Sequence, residues 1–461
     1  MKRFILIGLL AASAQVSGAA LDPDTSFGTA PDGRRQVYFD LGGGKGEQLR
    51  DVAIAPGTGA IYAVGSVDIA PGRSSAALVK RQANGTPDTS FAAGTYSNSW
   101  LRHDSVGNNG SARFDAVAFD ATNTGALIAA GYRDSASGQR CAYAVKLLDN
   151  TIAKGVLDGG FGYQGMFTYC DGDGVSPMSF SDVKVLPDGK ILLLKNGRLS
   201  GSETGASLIR LLANGNFDTS FNAGGLSGFQ GQYNIDVRAG KNESGERIAV
   251  TAAGYLVGGS SQYSGNDWDG YVVRVLANGT RDTSYAGGAR LEALDDAGTA
   301  FDDRLADLVT DASGRAVLLM NSNNAQVRVI RLNSTGQRDT GFGNGGLQAA
   351  GLADTFASSG GNFQYTTGAA LAINSAQQIW VIGSRVTVWV GVSITGELAM
   401  SRLSSTGAYL NFNTVMPYGI DELGATATVG SADRLLIGTR LRTTNLVSDY
   451  DFGFLRLLGT P

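Results

Sequence analysis

Residue types that commonly carry catalysis are scarce in this 461-residue chain. There is one histidine, His103, so a Ser–His–Asp or Cys–His arrangement has to be built around that single residue. The sequence contains no nucleotide-binding, metalloprotease or nucleophile-elbow motif, and GGGKG at 42–46 lacks the Ser/Thr that follows a phosphate loop. The sequence therefore predicts no recognisable catalytic centre.

Acidic loops are the remaining candidates for chemistry, because clustered oxygens suit a hard cation such as Ca²⁺. Asp and Gly also favour tight turns without any ion. We expect no cofactor, with calcium left open, and paired carboxylates for glycoside hydrolysis are a second open alternative. The residues concerned are Asp171, Asp173, Asp267, Asp269, Asp295, Asp296, Asp302 and Asp303.

The two cysteines, Cys141 and Cys170, are predicted to form a disulfide. Cys141 opens the third strand of its repeat unit and Cys170 closes the following fourth strand, so antiparallel pairing brings them opposite each other. Disulfides persist in exported proteins. A closed zinc shell is disfavoured because the lone histidine lies elsewhere, and two unpaired buried thiols are the alternative.

Residues 1–20 have the layout of a secretory signal peptide, with Lys2 and Arg3 before an apolar stretch and small residues at 17–20. No later run approaches the roughly 20 apolar residues of a membrane span. The net charge of −4, or −6 without Lys2 and Arg3, is scattered, which argues against a nucleic-acid partner. We expect an exported monomer, periplasmic, on the cell surface or extracellular, with 21–461 as one domain.

One cassette recurs along the chain and ends on an aromatic anchor, with anchors 57 to 70 residues apart. Clear copies begin with Leu21, Asn84, Asn214, Asn278 and Thr335, and weaker copies begin with Val156 and Thr406. The aromatic anchors are Phe27, Phe91, Phe161, Phe221, Tyr285, Phe342 and Phe412.

Between cassettes, each unit repeats three short apolar strands, and a fourth strand follows the cassette. In the fourth unit we assign IDVRAG at 235–240 as the first strand and RIAVTAAG at 247–254 as the second. Four antiparallel strands per unit predict an all-β, seven-bladed β-propeller. Because Arg34–Asp40 has no preceding partners and the last unit lacks a fourth strand, the N-terminal strand should complete the last blade.

Charged residues also recur with the repeat. A basic residue lies four positions before each turn, and several units carry an aspartate four positions after it. Because the pattern recurs around the ring, we interpret it as a structural clamp between strands and not as a binding cluster. The residues are Lys80, Lys146, Arg210, Arg274, Arg331, Arg402, Arg456, Asp88, Asp218, Asp282 and Asp339.

PDGKILLL at 187–194 and SLIRLLANGNFDTSF at 207–221 resemble the delta-60 repeat family of bacterial exported proteins. The resemblance covers nearly the whole mature chain and implies a propeller-like fold and a bacterial origin, but no settled activity. The units at 157–162 and 406–412 depart from the family pattern, so irregular blades are expected there.

Loops between second and third strands, and between blades, vary in length and carry aromatic residues. Variable loops on a rigid scaffold commonly hold function. We therefore expect a non-enzymatic recognition module for an unidentified glycan or protein, with a carbohydrate-active hydrolase or lyase and a purely structural surface protein as alternatives. The candidate binding residues are Tyr263, Trp268, Phe363, Tyr365 and Trp389.

Overall fold

The structure, a computed structural model, describes most of the chain after residue 22. The predicted signal peptide lies outside the described residues. Within them, no helix is long and apolar enough to cross a membrane. The described ranges are 23–28, 34–37, 46–92, 100–103, 110–120, 125–150, 153–200, 203–224, 230–292, 302–322, 327–350, 363–389, 393–415, 421–442 and 450–458.

The described strands form seven antiparallel sheets, which confirms the predicted seven-bladed propeller. The N-terminal strand is β1 (Arg34–Val37). Blade 1 contains β2 (Glu47–Ile54), β3 (Ile61–Ala70), β4 (Arg73–Arg81) and β5 (Trp100–His103). Blade 2 contains β6 (Ala112–Phe119), β7 (Ala126–Asp134), β8 (Arg140–Asp149), β9 (Lys154–Leu157) and β10 (Met166–Tyr169). Blade 3 contains β11 (Ser179–Val185), β12 (Ile191–Ser200), β13 (Glu203–Leu211) and β14 (Gln232–Ile235).

The remaining blades repeat this order. Blade 4 contains β15 (Glu243–Thr251), β16 (Gly254–Ser264), β17 (Asp267–Val275) and β18 (Ala289–Glu292). Blade 5 contains β19 (Asp303–Thr310), β20 (Ala316–Ser322), β21 (Val327–Arg331) and β22 (Leu347–Ala349). Blade 6 contains β23 (Phe363–Ile373), β24 (Ile379–Trp389), β25 (Ser393–Leu403) and β26 (Tyr409–Val415). Blade 7 contains β27 (Asp421–Val429), β28 (Leu435–Arg442) and β29 (Tyr450–Leu457), and β1 is its fourth strand.

The ring closes in the predicted way. β1 pairs antiparallel with β29, placing Val37 opposite Phe452. Upstream of β1, Asp24 Oδ2 accepts a hydrogen bond from Arg456 Nε at 2.8 Å. The first strands of neighbouring blades contact one another around the whole ring, and β27 of blade 7 contacts β2 of blade 1. The N-terminal segment therefore completes the last blade.

The cassette holds successive blades together through its aromatic anchor. Phe221 is fully buried, and Gly279 in the turn of the next blade covers its ring so closely that a Cβ would lie 2.9 Å from Cδ2. Only glycine fits there, and its φ of +87° is also in the left-handed region. The same glycine-on-ring contact joins Phe27 with Gly85, Phe91 with Gly155, Phe161 with Gly215, Tyr285 with Gly336 and Phe342 with Gly407.

The strand assignment in the fourth unit is wrong. Residues 232–235 are the fourth strand of blade 3, and the apolar run assigned as a second strand belongs to the first strand, β15. The true second strand is β16. Fourth and first strands carry similar short alternations, and the charged pair Glu246–Arg247 interrupts the apolar pattern of β15, so periodicity alone did not separate them.

Both units expected to be irregular depart from the common pattern. Blade 2 has an extra short strand, β9, which pairs with β8 beside β10. In blade 6, Phe412 lies within β26 opposite Ser401, and therefore in a strand and not in a cassette turn.

Candidate functional site

A central channel runs along the inner strands, and each blade supplies a bulge to its wall. The pairing between first and second strands shifts register once per blade, so one extra residue of each first strand is left over at the same level. All seven of these residues line one cavity. They are Arg50, Asp115, Ser181, Glu246, Ala306, Ala369 and Ala425.

This cavity, the channel mouth, has a volume of about 360 Å³. It lies where the first strands begin, at the same end as the loops between second and third strands, which is the variable face of the sequence analysis. Its charged lining comprises four arginines and two carboxylates, an excess of two positive charges. They are Arg50, Arg113, Arg247, Arg440, Asp115 and Glu246.

Three of these arginines come from consecutive blades: Arg440 from blade 7, Arg50 from blade 1 and Arg113 from blade 2. Burial and the neighbouring charges of Arg113 and Arg440 lower the pKa of Arg50 to about 10, so it stays protonated at neutral pH. Burial also lowers the pKa of Arg440. The three guanidinium groups are therefore close enough to repel one another.

Among the described residues that line the mouth, Asp115 is the carboxylate paired with this cluster. Asp115 Oδ1 lies 2.7 Å from Arg113 Nε and 3.9 Å from Arg50 Nε. Arg440 Nε is covered from solvent and donates no hydrogen bond to any residue in the described ranges. Because buried donors are normally satisfied, the mouth offers fixed, incompletely paired cationic donors.

The two carboxylates of the mouth are themselves perturbed. Burial raises the pKa of Asp115 and of Glu246 above their ordinary values, although nearby arginines work in the opposite direction. Asp115 also contributes to the raised pKa of Glu246. Perturbed carboxyl pKa values of this kind occur at acid–base sites and also in structural ion-pair networks.

Below the mouth, aspartates connect neighbouring blades. The Asp51, Asp182 and Asp307 carboxylates accept hydrogen bonds from backbone N–H groups of the next blade, at Val117 (2.9 Å), Ile248 (2.7 Å) and Leu371 (2.7 Å). This half of the channel has an acidic excess, so the field along the channel favours an anion at the mouth.

The five predicted aromatic binding residues are divided between blades 4 and 6. Tyr263 is 59% exposed and Tyr365 is 36% exposed, whereas Trp268 is half-buried beneath the Arg304 guanidinium at 4.3 Å. The side chains of Phe363 and Trp389 lie outside the described residues. All five belong to paired strands and not to loops, since these hairpins extend further than the sequence indicated. Blade 5 separates the two groups, and the described side chains form no single aromatic patch.

Most of the recurrent charged residues form ion pairs within their own unit. The pairs are Lys80–Asp88 (2.7 Å), Arg210–Asp218 (2.8 Å), Arg274–Asp282 (2.6 Å) and Arg331–Asp339 (2.9 Å). Arg456 pairs with Asp24 (2.8 Å), a partner that the sequence analysis missed although Asp24 lies in the first cassette.

Two members of the set behave differently. Lys146 lies 3.0 Å from Asp120 and 3.8 Å from Asp158. Arg402 makes no ion pair with any residue that the structure describes and stacks over Trp380, with 5.3 Å from its Cζ to the ring centroid.

The cysteine prediction is confirmed, since Cys141 and Cys170 form a disulfide with their Cα atoms 4.5 Å apart. In the acidic loops, Arg198 pairs with Asp171 (2.8 Å) and Arg238 pairs with Asp269. Residues 295 and 296 lie outside the described ranges. Within those ranges, the structure brings together no group of three or more His, Cys, Asp or Glu side chains suited to a metal ion.

His103 is the last residue of β5 and stacks on Tyr143, with the ring centroids 5.7 Å apart. It does not line any of the cavities described above and below. The one histidine of the chain therefore packs between blades 1 and 2, away from the channel.

Parts of the chain match a β-propeller family model. The model is described as a domain of unknown function (DUF5122) β-propeller, and it matches residues 186–221 and 255–285. No curated protein matches the chain. The matched residues include the stretches that resemble the delta-60 repeats, and the match agrees with the propeller fold.

Solved structures resemble this chain only in the overall course of the backbone. A fungal alcohol oxidase of the AA5 family in complex with copper is 12% identical, with a TM-score of 0.42, covering 90% of this chain and 76% of that one. A protein of unknown function from Dyadobacter fermentans is 10% identical, with a TM-score of 0.40 and coverages of 93% and 100%. A glucose dehydrogenase is 12% identical, with a TM-score of 0.37 and coverages of 75% and 96%. Similarity at this level carries no functional argument.

Proposed function

We propose that this propeller is an exported binding protein that holds an acidic ligand, a carboxylate-bearing glycan, at the arginine-lined channel mouth. The carrying observation is the cluster of Arg440, Arg50 and Arg113, which among the described lining residues is paired with Asp115. Guanidinium groups bind carboxylates through charge-assisted, often bidentate hydrogen bonds. The position at the variable face leaves the rest of a glycan chain free to contact the surrounding loops.

Replacing Arg440 with glutamine is expected to weaken binding of an oligogalacturonate by about tenfold or more, because one charge-assisted hydrogen bond contributes about 1.5–3 kcal/mol. Isothermal titration calorimetry at low salt measures this directly. Arg385→Gln is the matched control, since Arg385 pairs with Glu397 in blade 6 and does not line the channel mouth. Its affinity should equal that of the wild type.

Equal affinity of the wild type and Arg440→Gln would refute the channel-mouth site, as would equal binding of neutral gluco-oligosaccharides. Release of new reducing ends from the oligogalacturonate, abolished by Asp115→Asn or Glu246→Gln, would instead support the second candidate, an acidic-glycan hydrolase. The two carboxyls with raised pKa values in the mouth are the observation that favours that candidate.

Acidification is expected to tighten binding of inorganic sulfate, a probe that stays charged. As pH falls through the raised pKa values of Asp115 and Glu246, these carboxylates take up protons and the positive excess of the mouth grows. Titrations between about pH 7.5 and pH 5 measure the trend. The Asp115→Asn/Glu246→Gln variant should bind sulfate more tightly at neutral pH and lose this dependence; an unchanged pH profile would contradict the assignment.

A further inference from the structure

A second and larger cavity lies between blades 1 and 2, at the end of the propeller opposite the channel mouth. Its volume is about 800 Å³, within the range of small-molecule sites. Cassette turns and the turns between first and second strands form its rim. The residues that matter here are Thr58, Tyr62, Lys80, Phe119, Asp120 and Asp149.

At four of the other six blade junctions, the corresponding position is occupied by a structural clamp; Lys146 and Arg402, described above, are the two exceptions. An arginine of one blade pairs with its own cassette aspartate and also donates to a backbone carbonyl in the turn of the next blade. Arg274 thus pairs with Asp282 and donates to the Ser334 carbonyl at 3.0 Å. The same contact joins Arg210 with Ala277, Arg331 with Ser405 and Arg456 with Ala83.

At the junction of blades 1 and 2, three positions of this clamp change together. Lysine replaces arginine at Lys80. The residue three positions after the basic residue of the next blade, alanine or serine in the clamps above, is Asp149. Tyr62 faces Lys80 across the sheet, where the other blades carry the apolar residues Ile128, Leu192, Leu256, Val317, Trp380 and Leu436.

The three changed residues form one hydrogen-bonded group. Lys80 Nζ lies 2.8 Å from Asp149 Oδ2 and 2.7 Å from Asp88 Oδ2, and the Tyr62 hydroxyl donates to the same Asp149 oxygen. Although burial works against its charge, these hydrogen bonds raise the pKa of Lys80. Tyr62 is 3% exposed, so it fixes Asp149 from within the blade.

This arrangement is more polar than a blade junction needs. An arginine and a carbonyl hold the four clamped junctions with one charge fewer, whereas here the buried Asp149, the half-buried Asp88 and an ammonium group border an open cavity. Residues that recur from blade to blade stabilise the packing of the blades. Three linked replacements at one junction therefore indicate a role besides holding two blades together.

We infer that this cavity is a second ligand site, for a neutral sugar of one or two residues. Sugar hydroxyls both donate to carboxylates and accept from ammonium and amide groups, and the half-buried Phe119 supplies an apolar wall for their C–H faces. Each carboxylate of the lining is already held by an ammonium group, Asp88 and Asp149 by Lys80, and Asp120 by Lys146 at 3.0 Å. The acidic excess of the lining repels anions, and a cation would have to compete with the lysines for the carboxylates, whereas a neutral polyol needs no counter-charge.

The Tyr62→Leu/Lys80→Arg/Asp149→Ala variant tests this site, because it installs at this junction the residues found in the ordinary clamps. Saturation-transfer NMR and calorimetry with a panel of neutral mono- and disaccharides provide the readout. We expect a panel member to bind the wild type and to lose at least tenfold in affinity in the variant. The thermal midpoint of the variant should equal or exceed that of the wild type.

A second variant covers the case in which the triple replacement fails to fold. Thr58 is exposed on the rim, and Thr58→Trp should obstruct the cavity without disturbing the junction. Sugar binding that survives either folded variant would overturn the inference, as would a panel without any binder or preferential binding of alkylammonium or sulfate. Arg440→Gln at the channel mouth should leave sugar binding here unchanged, so failure at one site is separate from failure at the other.

Discussion

Replacing Phe221 with alanine is expected to lower the free energy of unfolding by about 3–5 kcal/mol. The ring is fully buried between blades 3 and 4, with the Arg210 guanidinium 4.6 Å from its centroid. Its removal leaves a void that the rigid turn above cannot fill. Chemical unfolding followed by circular dichroism measures the change, and Tyr163→Ala, at a tyrosine that is 76% exposed, should stay within about 0.5 kcal/mol of the wild type.

The same contact can be tested from the other side. Gly279→Ala places a methyl group against the Phe221 ring, and the positive φ adds backbone strain. The double variant should be less destabilised than the sum of the single variants, because removal of the ring relieves its 2.9 Å contacts with the methyl group, although the still closer approach to the Asn222 backbone nitrogen remains. Full additivity, or a loss below about 1 kcal/mol for Phe221→Ala, would show that the cassette does not couple the blades.

Much of the fold followed from the repeats because the cassette residues act locally. Asp218 accepts hydrogen bonds from the Ser220 backbone and hydroxyl, so the turn forms from residues two positions apart. Such spacing is visible in a sequence. Ring closure was also predictable, because the first strand has no partner in its own unit and the last blade lacks a fourth strand.

The channel mouth was not predictable in the same way. Arg50 and Asp115 reach the channel through bulges, and the extra residue of a bulge shifts the inward-facing positions by one. Arg440 comes from a second strand nearly 400 residues away in sequence. Their convergence depends on the closure of all seven blades. The available signal was a charged residue in a strand otherwise rich in alanine and valine, which the sequence analysis did not single out.

Residues that differ from the repeat pattern indicate a candidate ligand site more clearly than exposed aromatic residues do. Tyr263 and Tyr365 lie on separate blades, and Trp268 is occupied by Arg304. By contrast, Lys80 and Asp149 change character together at one junction, and a cavity larger than the channel mouth lies beside them. In a ring of similar units, a position that breaks the pattern and contacts a cavity is the better indicator of a ligand.

Removing residues 1–37 is expected to unfold blade 7 and to lower stability by about 5 kcal/mol or more, relative to a chain that lacks residues 1–20. The deletion removes the buried Phe27 ring, the Asp24 partner of Arg456 and the whole of β1. Loss of the ring alone corresponds to about 3–5 kcal/mol. Since domains are stable by only about 5–15 kcal/mol, the truncated chain should aggregate through the exposed edge of β29.

A synthetic peptide of residues 21–40 should restore soluble, cooperatively unfolding protein when added during refolding, because it supplies the missing strand. The chain that lacks residues 1–20 alone is the control and should unfold cooperatively without added peptide. A peptide with Phe27 and Asp24 replaced by alanine should rescue poorly, which separates the clamp from mere strand pairing. If the truncated chain keeps the unfolding midpoint of the control, β1 does not hold the ring closed, and the geometry of the channel mouth cannot depend on it.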